Sequence, residues 1–80
     1  MTQSYEFFLN TKTEYIDYIN KIIEAYEGLG IVRTLDPKAG KVKIITLRHY
    51  REEILAIINN LKKDNITIEI EKEGVWEGIL

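Results

Sequence analysis

An α+β sandwich with element order β-α-β-β-α-β is what this sequence predicts, and three observations carry the prediction. Tyr15–Tyr26 and Tyr50–Leu61 each repeat apolar residues at the helical period. Ser4–Asn10 and Ile66–Glu71 alternate as half-buried strands do. Between them Glu24–Ile45 reads EAYEGLGIVRTLDPKAGKVKII: a helix ends, a strand follows, and Asp36-Pro37-Lys38-Ala39-Gly40 turns the chain into a second strand.

The first strand sets Tyr5, Phe7 and Leu9 toward a core and Ser4, Glu6 and Phe8 to the other side. Thr11-Lys12-Thr13-Glu14 has the spacing of a capping box, which predicts Thr11 as N-cap of the first helix. That helix carries Tyr15, Ile16, Ile19, Ile22, Ile23 and Tyr26 in one stripe, and Gly28 suits the left-handed position beyond its end. Ile31–Leu35 and Lys41–Leu47 form the hairpin, with Pro37 pre-set for the first central turn position and Gly40 for a positive φ. On the third strand Val42, Ile44 and Thr46 share one face, and Lys41, Lys43, Ile45 and Leu47 the other. The second helix starts near His49, with Glu52 and Glu53 in its first turn and Lys62 and Lys63 in its last, matching the helix dipole. Asn65 is its expected left-handed exit. A fourth strand follows, its wet face formed by Thr67, Glu69 and Glu71. Residues 1–72 are read as one domain and 73–80, with Gly74, Trp76 and Gly78, as a C-terminal tail.

Eighty residues hold one small core. No cysteine is present, which removes disulfides, zinc-thiolate sites and cysteine nucleophiles; one histidine removes a histidine-rich metal site within one subunit. A dense isoleucine core or a partner subunit therefore supplies the missing stability. Eleven basic and thirteen acidic residues are interspersed, for a net charge of −2, as on a soluble surface. Neither a signal peptide nor an apolar run of about 20 residues is visible, so the expected setting is cytoplasmic.

Two β-α-β units joined by a hairpin give a ferredoxin-like sandwich: a four-stranded antiparallel sheet with both helices on one face. The first and third strands become central. The opposite face has no helix, yet Phe8, Ile45 and Leu47 point toward it, and Leu35 joins them or not according to the phase of the second strand. Such a patch marks an interface or ligand surface. A partner subunit is the first reading, a cover made by Trp76, Ile79 and Leu80 of the tail the second, and a small ligand the third.

The polar candidates have bland explanations. Arg33, beside Thr34 and Asp36, is suited to a carboxylate or phosphate, but an edge-strand charge also guards against aggregation. Arg33, Lys38, Lys41, Lys43, Arg48 and Arg51 surround the hairpin, and ferredoxin-like sheets can stack RNA bases on aromatics such as Phe8. The third strand lacks the matching aromatic pattern and Glu69 and Glu71 repel phosphate, which makes nucleic acid the least favoured partner. His49 has no group beside it to complete a nucleophile–base pair. Glu52, Glu53, Glu69, Glu71 and Glu73 are explained as dipole partners and a solvated strand face. Gly28 and Gly30 follow a helix rather than a strand, which is no phosphate loop. No enzyme, metal site or cofactor is expected.

The segment Glu24–Ile44, through Glu24, Ala25, Tyr26, Gly28, Arg33, Thr34, Leu35, Asp36, Pro37 and Gly40, resembles a family of short bacterial proteins of unknown function with an EAY-[DE]-G…RTLDP core. More loosely, the element order is similar to ACT-type regulatory domains, which pair as dimers and bind amino acids near the first strand–helix turn. That resemblance implies a ligand site at Asn10, Thr11, Lys12 and Thr13, to which Arg33 is added, although the turn lacks the glycine many ligand-binding ACT domains carry there. The functional expectation is a non-enzymatic, ACT-like binding or regulatory module acting as a homodimer, with an interface at Phe8, Ile45 and Leu47. The alternative is a subunit that holds another protein by its sheet edge or apolar face.

Overall fold

The computed structural model describes residues 3–76. Strands β1 (Ser4–Thr11), β2 (Gly30–Asp36), β3 (Lys41–Leu47) and β4 (Ile68–Val75) form one antiparallel sheet in the order β2-β3-β1-β4. Helices α1 (Ile16–Ala25) and α2 (Arg51–Lys63) are each entered through a single 3-10 turn, Thr13–Tyr15 and Arg48–Tyr50. The fold is the expected ferredoxin-like α+β sandwich. Among the described residues, no helix is long and apolar enough to cross a membrane.

Phe7, Leu9, Ile19, Ile23, Val42, Ile44, Ile54 and Ile58 are fully buried. They are the inward residues of the two central strands and the stripes of both helices, so the sequence pattern and the core agree. Tyr26 departs from its stripe and is 51 % exposed, because α1 ends at Ala25 and the chain has already left the helical path. α2 ends in a Schellman motif: Asn65 takes φ 65°, its N–H donates to the Lys62 carbonyl, and the Ile66 N–H donates to the Leu61 carbonyl.

The capping box does not form. Thr11 is the last residue of β1, and its hydroxyl donates to the Thr67 carbonyl. Lys12 precedes the 3-10 turn without any side-chain cap, and its carbonyl accepts from Tyr15 N–H. Thr13 donates instead to the Pro37 carbonyl, tying the hairpin turn to the β1–α1 connection. The tertiary contacts claimed both hydroxyls.

β4 also differs from expectation. It begins at Ile68, leaving Ile66 in the α2 exit, and continues to Val75, past residue 72. Its pairing with β1 shifts between Phe8 and Leu9: Leu9 faces Ile70, while Phe8 faces Lys72. Glu71 is thus the extra residue of a β-bulge, and the bulge inverts the side-chain phase beyond it. Glu73 consequently leaves the solvated face on which simple alternation puts it and turns toward α2. There its Oε1 accepts from Tyr5 Oη at 2.7 Å and from Arg51 Nε at 2.6 Å.

This triad gives stability a pH dependence. Burial pushes the Glu73 carboxyl up, but the hydrogen bonds from Arg51 and Tyr5 outweigh it and hold the group below the usual carboxylate range. Burial, together with the bond to Glu73, raises the Tyr5 phenol. A depressed carboxylate adds stability above its unfolded pKa and loses it as pH falls through the folded value; a raised phenol adds stability below about 10 and loses it as pH climbs through its folded value. Glu73→Gln should therefore be less stable than the parent at pH 7, with the gap closing below about pH 4. Urea melts at pH 3 to 7 check this, and a gap that stays constant removes the assignment.

Candidate functional site

The helix-free face of the sheet is organised in rows set by the strand register. At the end where β2 begins, Ile31, Ile45, Glu6 and Gly74 face one another across the four strands, with Leu47 opposite Ser4 beside them. The next row is Arg33, Lys43, Phe8 and Lys72, and beyond it Lys41, Asn10 and Glu69 align. An apolar corner therefore adjoins a cationic row with one aromatic ring in it.

The corner holds Ile31, Ile45 and Leu47. With Ser4, Gly28, Leu29, Gly30 and Thr46 they surround a cavity of about 300 Å³, room for one large apolar side chain. Thr46 Oγ1 donates to the Leu29 carbonyl at 2.5 Å, so that hydroxyl is already satisfied, and with a lining otherwise mostly apolar the space favours apolar matter. Ile31 is 56 % exposed and Leu35 45 %. Sequence reasoning missed Ile31, because Ile31, Val32 and Leu35 do not alternate cleanly; pairing with Ile45 fixes its face.

In the cationic row, the Phe8 ring lies between two ammonium groups, Lys43 Nζ at 5.0 Å and Lys72 Nζ at 4.5 Å from its centroid. Both distances fall within cation–π range. Lys43 is only 3 % exposed, and its Nζ is 3.1 Å from a fully buried Glu6 Oε1, an ion pair by distance without hydrogen-bond alignment. A second pair, Lys41 with Glu71 at 3.3 Å, is solvated. The hydrogen bond from Lys41, aided by Asn10, lowers the Glu71 pKa. Arg33 makes no ion pair among the described residues.

The predicted interface residues thus divide. Ile45 and Leu47 lie in the apolar corner, whereas Phe8 stands one row away among lysines. Trp76 is half-buried and its N–H donates to the Ser4 carbonyl at 2.9 Å; Ile79 and Leu80, the rest of the proposed tail cover, lie outside the described residues.

The residues of the expected ligand turn are engaged elsewhere in the chain. Thr11 and Thr13 bond Thr67 and Pro37. Asn10 accepts from Lys41 Nζ at 3.1 Å and reaches Glu71 at 3.5 Å. Lys12 is exposed. Arg33, two strands away from β1, belongs to the open-face row and not to this turn. Among the described residues, no group of three or more His, Asp or Glu is placed to hold a metal ion.

A family model described as a domain of unknown function (DUF4911) matches residues 12–64, more than half of the chain. The chain belongs to that family. The DUF4911 match runs from Lys12 to the end of α2, and so spans Arg33, the hairpin, Ile45 and Leu47. Neither the curated proteins nor the solved structures contain a match to this chain.

Proposed function

We infer that this DUF4911 protein is a non-enzymatic, ACT-like interaction module that works as a homodimer through the helix-free face of its sheet. One observation carries the reading: Ile31, Ile45 and Leu47 form an apolar corner around a cavity of about 300 Å³ with no helix over it. Contiguous apolar surface of this kind is characteristic of interaction sites. The polar side chains that meet on the sheet, Glu6 with Lys43 and Glu73 with Arg51 and Tyr5, neutralise one another; none activates a nucleophile. The small-ligand reading has less support, since the hydroxyls of the β1–α1 turn already bond within the chain.

A two-fold axis would place the same corner of both subunits in contact. Each large side chain fully buried there contributes about 1.5–3 kcal/mol before the cost of association. Light scattering at high micromolar concentration should therefore give a dimer for the parent chain. Ile45→Glu, which puts a charge into the corner and leaves the helix-side core intact, should be folded and monomeric. A monomeric parent chain ends the dimer reading.

A further inference from the structure

The two sheet edges are guarded very differently. β4 presents Glu69, Glu71 and Lys72 and carries a bulge, the devices by which proteins block strand addition. β2 has no proline and pairs regularly with β3 from Gly30 to Thr34, its register shifting only at Leu35; its one charge in the regular stretch is Arg33, with exposed Ile31 two residues before it and exposed Leu35 at the shift. An edge strand leaves every second N–H and C=O pointing outward and unpaired.

We propose that the outer edge of β2 takes an extended peptide from another protein as a fifth strand, selecting a carboxylate flanked two residues away on each side by apolar side chains. This inference rests on the interaction-module reading and names its partner. Main-chain bonds along the edge supply affinity, and alternate side chains supply selection. Arg33 provides the charge term: it is exposed, without an ion pair among the described residues, and heads a row whose other cations are Lys43 and Lys72. A carboxylate opposite it gains a charge-assisted bond. Ile31 in the regular stretch, and Leu35 where the register shifts, then cover the apolar neighbours of that carboxylate. A second copy of β2 fits worse, because the fully overlapped two-fold pairing sets Arg33 opposite Arg33, and like charges directly opposite destabilise.

The test uses two fluorescein-labelled, end-capped peptides, TTVTETVTT and TTVTKTVTT, titrated into the full chain and read by fluorescence anisotropy. The glutamate peptide should bind at least ten-fold tighter than the lysine peptide, and Arg33→Glu should reverse that order. N-methylation of alternate peptide nitrogens on the pairing side should abolish binding. Equal binding of the two peptides, or no binding of either at millimolar concentration, overturns the proposal. Dimerisation that Arg33→Glu abolishes would assign the edge to a second copy and overturn it as well. Peptide binding by a monomeric chain would remove only the face-to-face dimer, whereas a dimer lost through Ile45→Glu alone, with no peptide binding, would remove only the edge site.

Discussion

Gly40→Ala is expected to destabilise the protein by about 3–5 kcal/mol, a sum of left-handed strain, a steric clash and a lost hydrogen bond. Gly40 has φ +69°, which L residues adopt at a cost. The position is also closed: a Cβ there would stand 1.8 Å from the Thr11 carbonyl oxygen and 2.7 Å from its carbon. Backbone, not a flexible side chain, is in the way. The Thr11 N–H meanwhile donates to the Gly40 carbonyl at 2.7 Å, so retreat of the turn breaks that bond. A domain of this size has only about 4–12 kcal/mol in total. Chemical denaturation should show the loss, and a variant within about 1 kcal/mol of the parent would mean that the hairpin turn does not press on β1 as described. Ala39→Gly, on the exposed side of the same turn, is the control and should change little.

This contact explains how much of the fold was readable. Gly40 announced itself through the turn pattern Asp36-Pro37-Lys38-Ala39-Gly40, and the Asp36 carboxylate indeed accepts from Lys38 and Ala39 N–H at 3.1 and 3.2 Å. What local pattern could not reveal was the second reason for glycine, the approach of a strand end distant in sequence. Thr11 shows the same limit. Its spacing to Glu14 satisfies a capping rule, but the strand continues one residue further and Thr67 takes the hydroxyl. Local capping is worth about 1 kcal/mol, and tertiary pairing overrode it.

The open face was legible in outline only. Alternation placed Ile45 and Leu47 correctly, because β3 pairs with β1 without a register shift over its whole length. The bulge at Glu71 left a fainter trace. Its mark in the sequence is that inward residues change from even numbers at Ile68 and Ile70 to Glu73 on the helix side, opposite Phe7. With Glu or Lys at every position from 71 to 73, hydropathy carries no phase. Arg51 and Tyr5, which hold Glu73, lie on two other elements, so the triad has no local signature at all.

Lys43 is the position at which pattern reading was furthest from the structure, and it gives the second large expected effect. Alternation with Val42 and Ile44 assigns it to solvent, yet its side chain is 4 % exposed and that of Glu6, 3.1 Å away, 12 %. Removing one member of a buried pair costs about 3–5 kcal/mol, mainly because the other charge is left without compensation, whereas replacing both with apolar groups is often neutral. Glu6 retains some access to water, so Lys43→Met should cost about 2–3 kcal/mol, below the fully buried range. Adding Glu6→Leu to Lys43→Met should recover stability to within about 1 kcal/mol of the parent, although Glu6→Leu alone removes the carboxylate beside the buried ammonium and destabilises. The Met also keeps apolar contact with Phe8 in place of the cation–π contact at 5.0 Å, which is worth about 0.5–2 kcal/mol and sets the residual deficit. Urea titrations of the four proteins form a double-mutant cycle, and a coupling larger than about 1 kcal/mol is the expected sign of a pair that acts as a unit. Additive losses would mean that Lys43 and Glu6 do not act as a pair, and that the burial of Lys43 is stabilised by contacts other than the Glu6 carboxylate.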